Sequence, residues 1–208
     1  MTPLIRCQRS LTANGFEVYI ANDTAEAKRL FFDEILPSLP VKTASWGDSM
    51  TMHATGVWEE LFAQDEIDII KTFEEGVERS VIMERRRQAL LVDLFMTGSN
   101  AVTECGKLVN LDMIGNRTAP ISFGPHHVVL FIGSNKIVPD LESAFTRIKT
   151  IAAPLNAKRH GYSTPCVKTG DCHDCHSPKR ICNTWSIMDK SYPKHRIKVI
   201  LIDEALGL

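Results

Sequence analysis

The chain has 208 residues, of which 44% are hydrophobic and 24% charged, and its 24 lysines and arginines against 25 aspartates and glutamates leave a formal net charge of −1. That balance excludes the general basic face that nucleic acid or an anionic membrane would require. No apolar run approaches the roughly 18 residues of a membrane span, and arginines interrupt the N-terminal MTPLIRCQRSL where a signal peptide has its apolar core, so a cytoplasmic chain without a membrane span is expected.

Along the chain, helices and strands alternate. Asp23 and Glu26 form an Asp-x-x-Glu start signal, Ala27, Leu30, Phe31 and Ile35 follow at helical spacing, and Pro37 ends the segment. A strand is predicted over Val41 to Trp46, a helix over Met50 to Phe62, and a second short strand over Ile67 to Lys71. The helix around Val77 to Leu91 carries Arg85, Arg86 and Arg87, read as a solvated face. Val92 to Thr97 is a strand ending at Gly98, Leu108 to Leu111 a short one, and Val128 to Ile132, rich in β-branched residues, a central one. Pro139 to Ala153 reads as helix, and Ile197 to Ile202 supplies the last strand. The expectation is a single α/β domain over residues 1–208, a largely parallel sheet flanked by helices, with a cysteine-rich loop inserted at about 160–184.

In such sheets ligands sit where strands end and loops begin. Two loops of that kind are rich in small and polar residues. The first holds Gly47 and Ser49, with Ser49 placed to cap the following helix. The second runs through Thr97, Gly98 and Asn100 to Glu104, then Asn110, Asp112, Gly115, Asn116 and Arg117. Arg117 could grip a carboxylate or phosphate in bidentate fashion while the asparagines and Ser49 donate to its oxygens, which describes a pocket for a small anionic metabolite. The structural alternative is that Arg117 clamps Glu104 or Asp112 inside the fold. Glu104 is the one carboxylate embedded in the Gly/Asn-rich loop and is the candidate catalytic residue; capping or structural hydrogen bonding is its competing role.

Cys166, Cys172, Cys175 and Cys182 are spaced C-x5-C-x2-C-x6-C among helix-breaking Gly161, Pro165, Gly170 and Pro178. Four thiols this close, in a reducing compartment, favour a metal or cluster over disulfides or a redox pair. An iron–sulfur cluster, most simply 4Fe–4S with all four cysteines, and a tetrahedral zinc site both remain open. His173 and His176 could replace a cysteine, or be solvated loop histidines. Cys7 and Cys105 stand alone and read as small buried hydrophobes.

The segments TGSNAVTECGKLVNLDMIGNR, WGDSMT, FGPHHVVLFIGSNKIVPDLESAFTRIK and LIDEALG together resemble the LUD-domain family, named for lactate utilisation. The resemblance covers most of the chain, most thinly in the first twenty residues. It implies a fold similar to the sugar-phosphate isomerase and CoA-transferase group. It also implies a component of an iron–sulfur system oxidising L-lactate to pyruvate, working with iron–sulfur partner proteins. The chain lacks the ferredoxin-type extension of the family's larger subunit and adds the compact four-cysteine loop. The alternative is a non-catalytic metabolite- or nucleotide-binding protein with a structural zinc loop, and a homo-oligomer is open on either reading.

Overall fold

The computed structural model describes residues 1–208. It begins with a helix that the arginine-interrupted sequence does not announce. Thr2 caps α1 (Pro3–Ala13), Pro3 stands in the first turn where no N–H is needed, and Leu4, Cys7 and Leu11 form one buried stripe. Next comes β1 (Glu17–Ala21). At α2 (Thr24–Arg29) the Asp23 carboxylate accepts from the Glu26 N–H at 2.8 Å, as its start signal predicts. The helix then loosens into a π-helical turn, Leu30–Ile35, and a 3-10 turn, Leu36–Ser38.

Beyond β2 (Thr43–Trp46), the helix expected over Met50 to Phe62 is two helices, α3 (Met50–Ala54) and α4 (Val57–Phe62). The break is at Gly56, whose φ of 66° is left-handed and ends one helix before the next begins. Then follow β3 (Asp68–Ile70), α5 (Arg79–Gln88) and β4 (Leu94–Gly98). The second polar loop is only partly a loop, since it contains β5 (Ala101–Thr103) and β6 (Leu108–Asp112). After α6 (Thr118–Ser122) and β7 (His127–Gly133) come β8 (Ile137–Val138) and α7 (Leu141–Arg147). A π-helical turn, Ile148–Ala152, joins α7 to α8 (Ala153–Arg159), so this helical stretch runs past its predicted end. In the cysteine-rich stretch Pro165 starts a helix, α9 (Pro165–Thr169), where it was read as a breaker, because a first-turn proline needs no N–H partner. The chain ends with β9 (Thr184–Met188) and β10 (Ile197–Ile202).

Six strands form a parallel sheet in the order β1-β10-β7-β4-β2-β3. Its central strands bury both faces, so alternate residues enter different cores. Leu94, Met96, Val129, Phe131, Ile200 and Ile202 pack with α2, α3 and α4 residues on one side. Phe95, Val128, Leu130, Val199 and Leu201 pack with Cys7, Leu11 and Ala89 on the other. The sequence reading did not foresee the second sheet, of order β8-β5-β6-β9, in which β6 pairs antiparallel with both neighbours. α7 and the π-helical turn after it close it through Ala144 and Ile148, packed on Ala101, Val109 and Leu111. Cys7 is fully buried, as expected, whereas Cys105 is exposed in the turn after β5, against expectation.

Candidate functional site

β2 and β4 are neighbours, but the chain leaving β2 returns at β3 while the chain leaving β4 goes on to β7 on the opposite side. Connections that diverge in this way open a crevice at the carboxyl ends of the strands. A cleft of about 200 Å³ lies there. Two glycines let its walls approach. A Cβ on Gly98 would stand 2.5 Å from Ser49 Oγ, and one on Gly47 would stand 2.8 Å from Thr97 Oγ1 and 3.0 Å from Arg117 Cγ. Ser49 caps α3, accepting from the Met52 N–H at 3.3 Å.

On β6, Asn110 and Asp112 are two residues apart and so point to the same face, where Arg117 meets them. Arg117 Nε donates to Asp112 Oδ1 at 3.0 Å, Nη1 to Asn110 Oδ1 at 3.0 Å, and Nη2 to Asp112 Oδ1 at 2.7 Å, Asn100 Oδ1 at 2.6 Å and the Leu111 carbonyl at 3.1 Å. The other Asp112 oxygen accepts from the backbone N–H groups of Arg117 and Thr118 at 3.0 and 2.9 Å. Burial acts to raise the Asp112 pKa, yet the Arg117 charge and these hydrogen bonds hold it below the ordinary carboxylate range. The fold thus supplies the Arg117 guanidinium with a carboxylate, two amide oxygens and a carbonyl, the structural role weighed for it against anion binding. Of the two candidate clamps, Asp112 is the one it makes.

Lys136, Arg147 and Arg86 are not closed by a carboxylate in this way. Lys136, in the turn after β7, is 4% exposed and lines the cleft. Burial, with Arg147 and then Arg117 nearby, pulls its amine down to about 7, and no carboxylate acts against them. Arg147 is also buried, and its donors go to the carbonyls of Asn135 at 3.0 Å and Asn100 at 2.6 Å. Arg86 is not on a solvated face as read from the sequence. Its guanidinium lies 5.0 Å from the Phe73 ring centroid at the cleft wall, and its buried Nε has no partner. At the rim, Asp48 pairs with Arg159 and lies 3.2 Å from His160 Nε2. Burial would raise Asp48, but Arg159, His160 and His53 together hold its pKa low.

Of the residues singled out in the sequence, Ser49, Gly98, Asn100, Asp112, Asn116 and Arg117 line the cleft. Asn110, Gly47 and Thr97 stand behind them, in contact with Arg117 or one another, and Gly115 gives the turn before Arg117 its φ of 81°. Glu104 stands apart at the surface, with its oxygens accepting from Arg6 at 2.6 and 2.9 Å. Lys136, Arg86, Asp48, Arg159 and His160 were missed. The available signal for Lys136 was its place in FIGSNK, directly after the central strand β7 and hence at the same carboxyl end of the sheet.

Cys166, Cys172, Cys175 and Cys182 all line one small cavity of about 20 Å³, together with His173, Asp174 and Arg180. All four are free thiols. Arg180 braces the loop by donating to the carbonyls of Cys175 and Cys182 at 2.7 and 2.9 Å and to Asp174 at 2.7 Å. Burial, then the neighbouring thiols, push the Cys182 thiol up to about 11. The donor chemistry fits a thiolate-bound metal, although no three metal-ligating side chains stand closed around one point. His173 Nε2 is 2.7 Å from Thr169 Oγ1, and His176 is exposed. Ile181 faces both this cavity and the cleft.

The family model of the LUD domain matches residues 5–202. Among solved structures, the chain is similar to a DUF162-family protein from Deinococcus radiodurans, with 11% identity, a TM-score of 0.55 and 96% of each chain covered. No curated protein matches in a sequence search. No helix is long and apolar enough to cross a membrane.

Proposed function

The chain belongs to the LUD-domain family, which is associated with lactate utilisation, and from that premise we propose that it is a component of an iron–sulfur-dependent system oxidising L-lactate, or a related 2-hydroxy acid, to the 2-oxo acid. The observation that carries this reading is the position of the four-cysteine cavity directly behind the cleft wall, with Ile181 facing both. Cys166, Cys172, Cys175 and Cys182 would hold the cluster, which when bound supplies one-electron redox chemistry. Arg180, bonded to the carbonyls of Cys175 and Cys182, holds two of those ligands in place. In the cleft, four cationic side chains, Arg86, Arg117, Lys136 and Arg159, face two carboxylates, Asp48 and Asp112, so the lining has the charge to retain an anionic acid. The Arg117–Asp112 knot gives that lining a fixed floor.

Anaerobic purification followed by metal analysis tests the proposal. A brown protein with about four irons per chain, losing its colour in Cys175→Ser, is the expected result. A colourless protein with stoichiometric zinc would overturn the redox reading and leave a binding protein with a zinc-held loop.

A further inference from the structure

Buried charges in folded proteins are paired, and a cation left without a carboxylate in a cleft is one whose counter-ion arrives with the ligand. Three cations around this cleft lack a carboxylate partner. Lys136 is buried as a residue, and its amine lies beside Gly207, close enough that a Cβ there would stand 3.2 Å from it. Arg147, behind it, is bonded to carbonyls alone. Arg86, also in the lining, lies on Phe73 with its Nε unpartnered, and Asp48 acts on its charge without forming an ion pair with it. Arg117 and Arg159 are closed by Asp112 and Asp48 and contribute no net charge. Of these, Lys136 and Arg86 line the cleft, and a single carboxylate, as on lactate, would neutralise only one of the two.

We infer that Lys136 and Arg86 are the ligand-binding cations of the cleft and that its ligand carries two negative charges, as a dicarboxylic or phosphorylated 2-hydroxy acid does. The inference rests on the cleft being the anion site proposed above, and it narrows the substrate class from any 2-hydroxy acid to a dianionic one. Lys136 is the deep anchor, and Arg86 holds the outer end of the ligand against Phe73. Because the amine of Lys136 sits near 7 in the free protein, a bound dianion draws a proton onto it, and affinity falls as pH rises above about 7. The other ionisable groups facing the cleft are Asp48 with Arg159 and His160, Asp112 with Arg117, Arg86 and Tyr162.

Calorimetric titration of the full chain, as purified with its metal, at about pH 7 compares malonate and sulfate with L-lactate and acetate. At least one dianion is expected to bind about tenfold or more tightly than either monoanion, with malonate indicating a dicarboxylate and sulfate a phosphoryl group. Lys136→Met should lower that affinity about tenfold or more and abolish most of its pH dependence, and Arg86→Met should lower it to a smaller degree. Monoanions binding as tightly as both dianions, or a Lys136→Met protein that keeps its dianion affinity, would overturn the inference while leaving the cleft as an anion site. A wild-type protein that binds none of the four anions would reject the anion site itself. Should Lys136→Met fail to fold, the wild-type pH series decides alone, since a dianion affinity constant between about pH 6.5 and 9 contradicts the role of Lys136.

Discussion

Arg117 and Lys136 line the same cleft, but only one of them has a protein counter-ion. Arg117 meets a carboxylate, two asparagine oxygens and a carbonyl, and one face of β6 is laid out to receive it. Lys136 feels the charges of Arg147 and Arg117, has no carboxylate acting on it, and sits near the pH at which it loses its charge. The comparison teaches that a cation in a pocket is a ligand residue to the extent that the fold leaves it unanswered. Sequence rules find the answered cation as easily as the unanswered one.

The sharpest way to break the comparison is to remove one half of the answered pair. Arg117→Ala or Asp112→Ala should destabilise the protein by about 3–5 kcal/mol, because each strands a buried charge, and the loss should be the same with and without a bound anion in a melting experiment. Arg117→Lys should restore only part of it, since an ammonium cannot reproduce the forked contacts. Lys136→Met should go the other way and raise stability by about 1–3 kcal/mol near neutral pH, because it removes a charge that burial of the residue disfavours and no carboxylate offsets. A melting temperature that falls in Lys136→Met would mean the amine has a structural partner after all.

The two groups also predict opposite signs with pH. Lys136 has a folded pKa below its unfolded value, so the unfolded chain binds the extra proton between about 7 and 10, and stability contributed by this group rises with pH across that window. Asp112 has a depressed folded pKa, so its contribution is present at neutral pH and is lost on acidification, as pH falls below the ordinary carboxylate range and through the folded value. Urea melts of Lys136→Met and Asp112→Asn, set against wild type across pH, would separate the two slopes. The smallest effect is expected at Glu104, which is paired with Arg6 at the surface. Glu104→Gln should change neither anion affinity nor the melting temperature beyond experimental scatter, and a large loss of activity in that variant would return it to the catalytic candidates.

Much of the fold was legible because the parallel strands are buried on both faces and so appear as continuous apolar runs, as in Val128 to Ile132 and Ile197 to Ile202. The second sheet was not, for the opposite reason: β5 has three residues and β9, an edge strand with Trp185 and Ile187 exposed, alternates too weakly to register. α1 was hidden by arginines that lie on its outer face. In the cleft, glycine and capping serine were readable because their backbone roles are local. Lys136 and Arg86 were not, since a lysine in a turn and an arginine in a basic run have solvated side chains by default. Only the packing of distant elements makes these two exceptions.

The pairing of β1 with β10, which sets Glu17 beside Lys198, has a consequence for how the molecule is made. β1 is an edge strand whose sole neighbour in the sheet, β10, lies far along the chain at Ile197–Ile202. During synthesis β1 and α1 must wait unpaired, and closing so long a loop makes this a slow, high-contact-order step. Chaperone dependence and aggregation of nascent chains should therefore be concentrated before residue 197 emerges. A chain stopped short of β10 should expose β1 and the edge of β7 together, and limited proteolysis of stalled chains would register that as cleavage near residues 17–21.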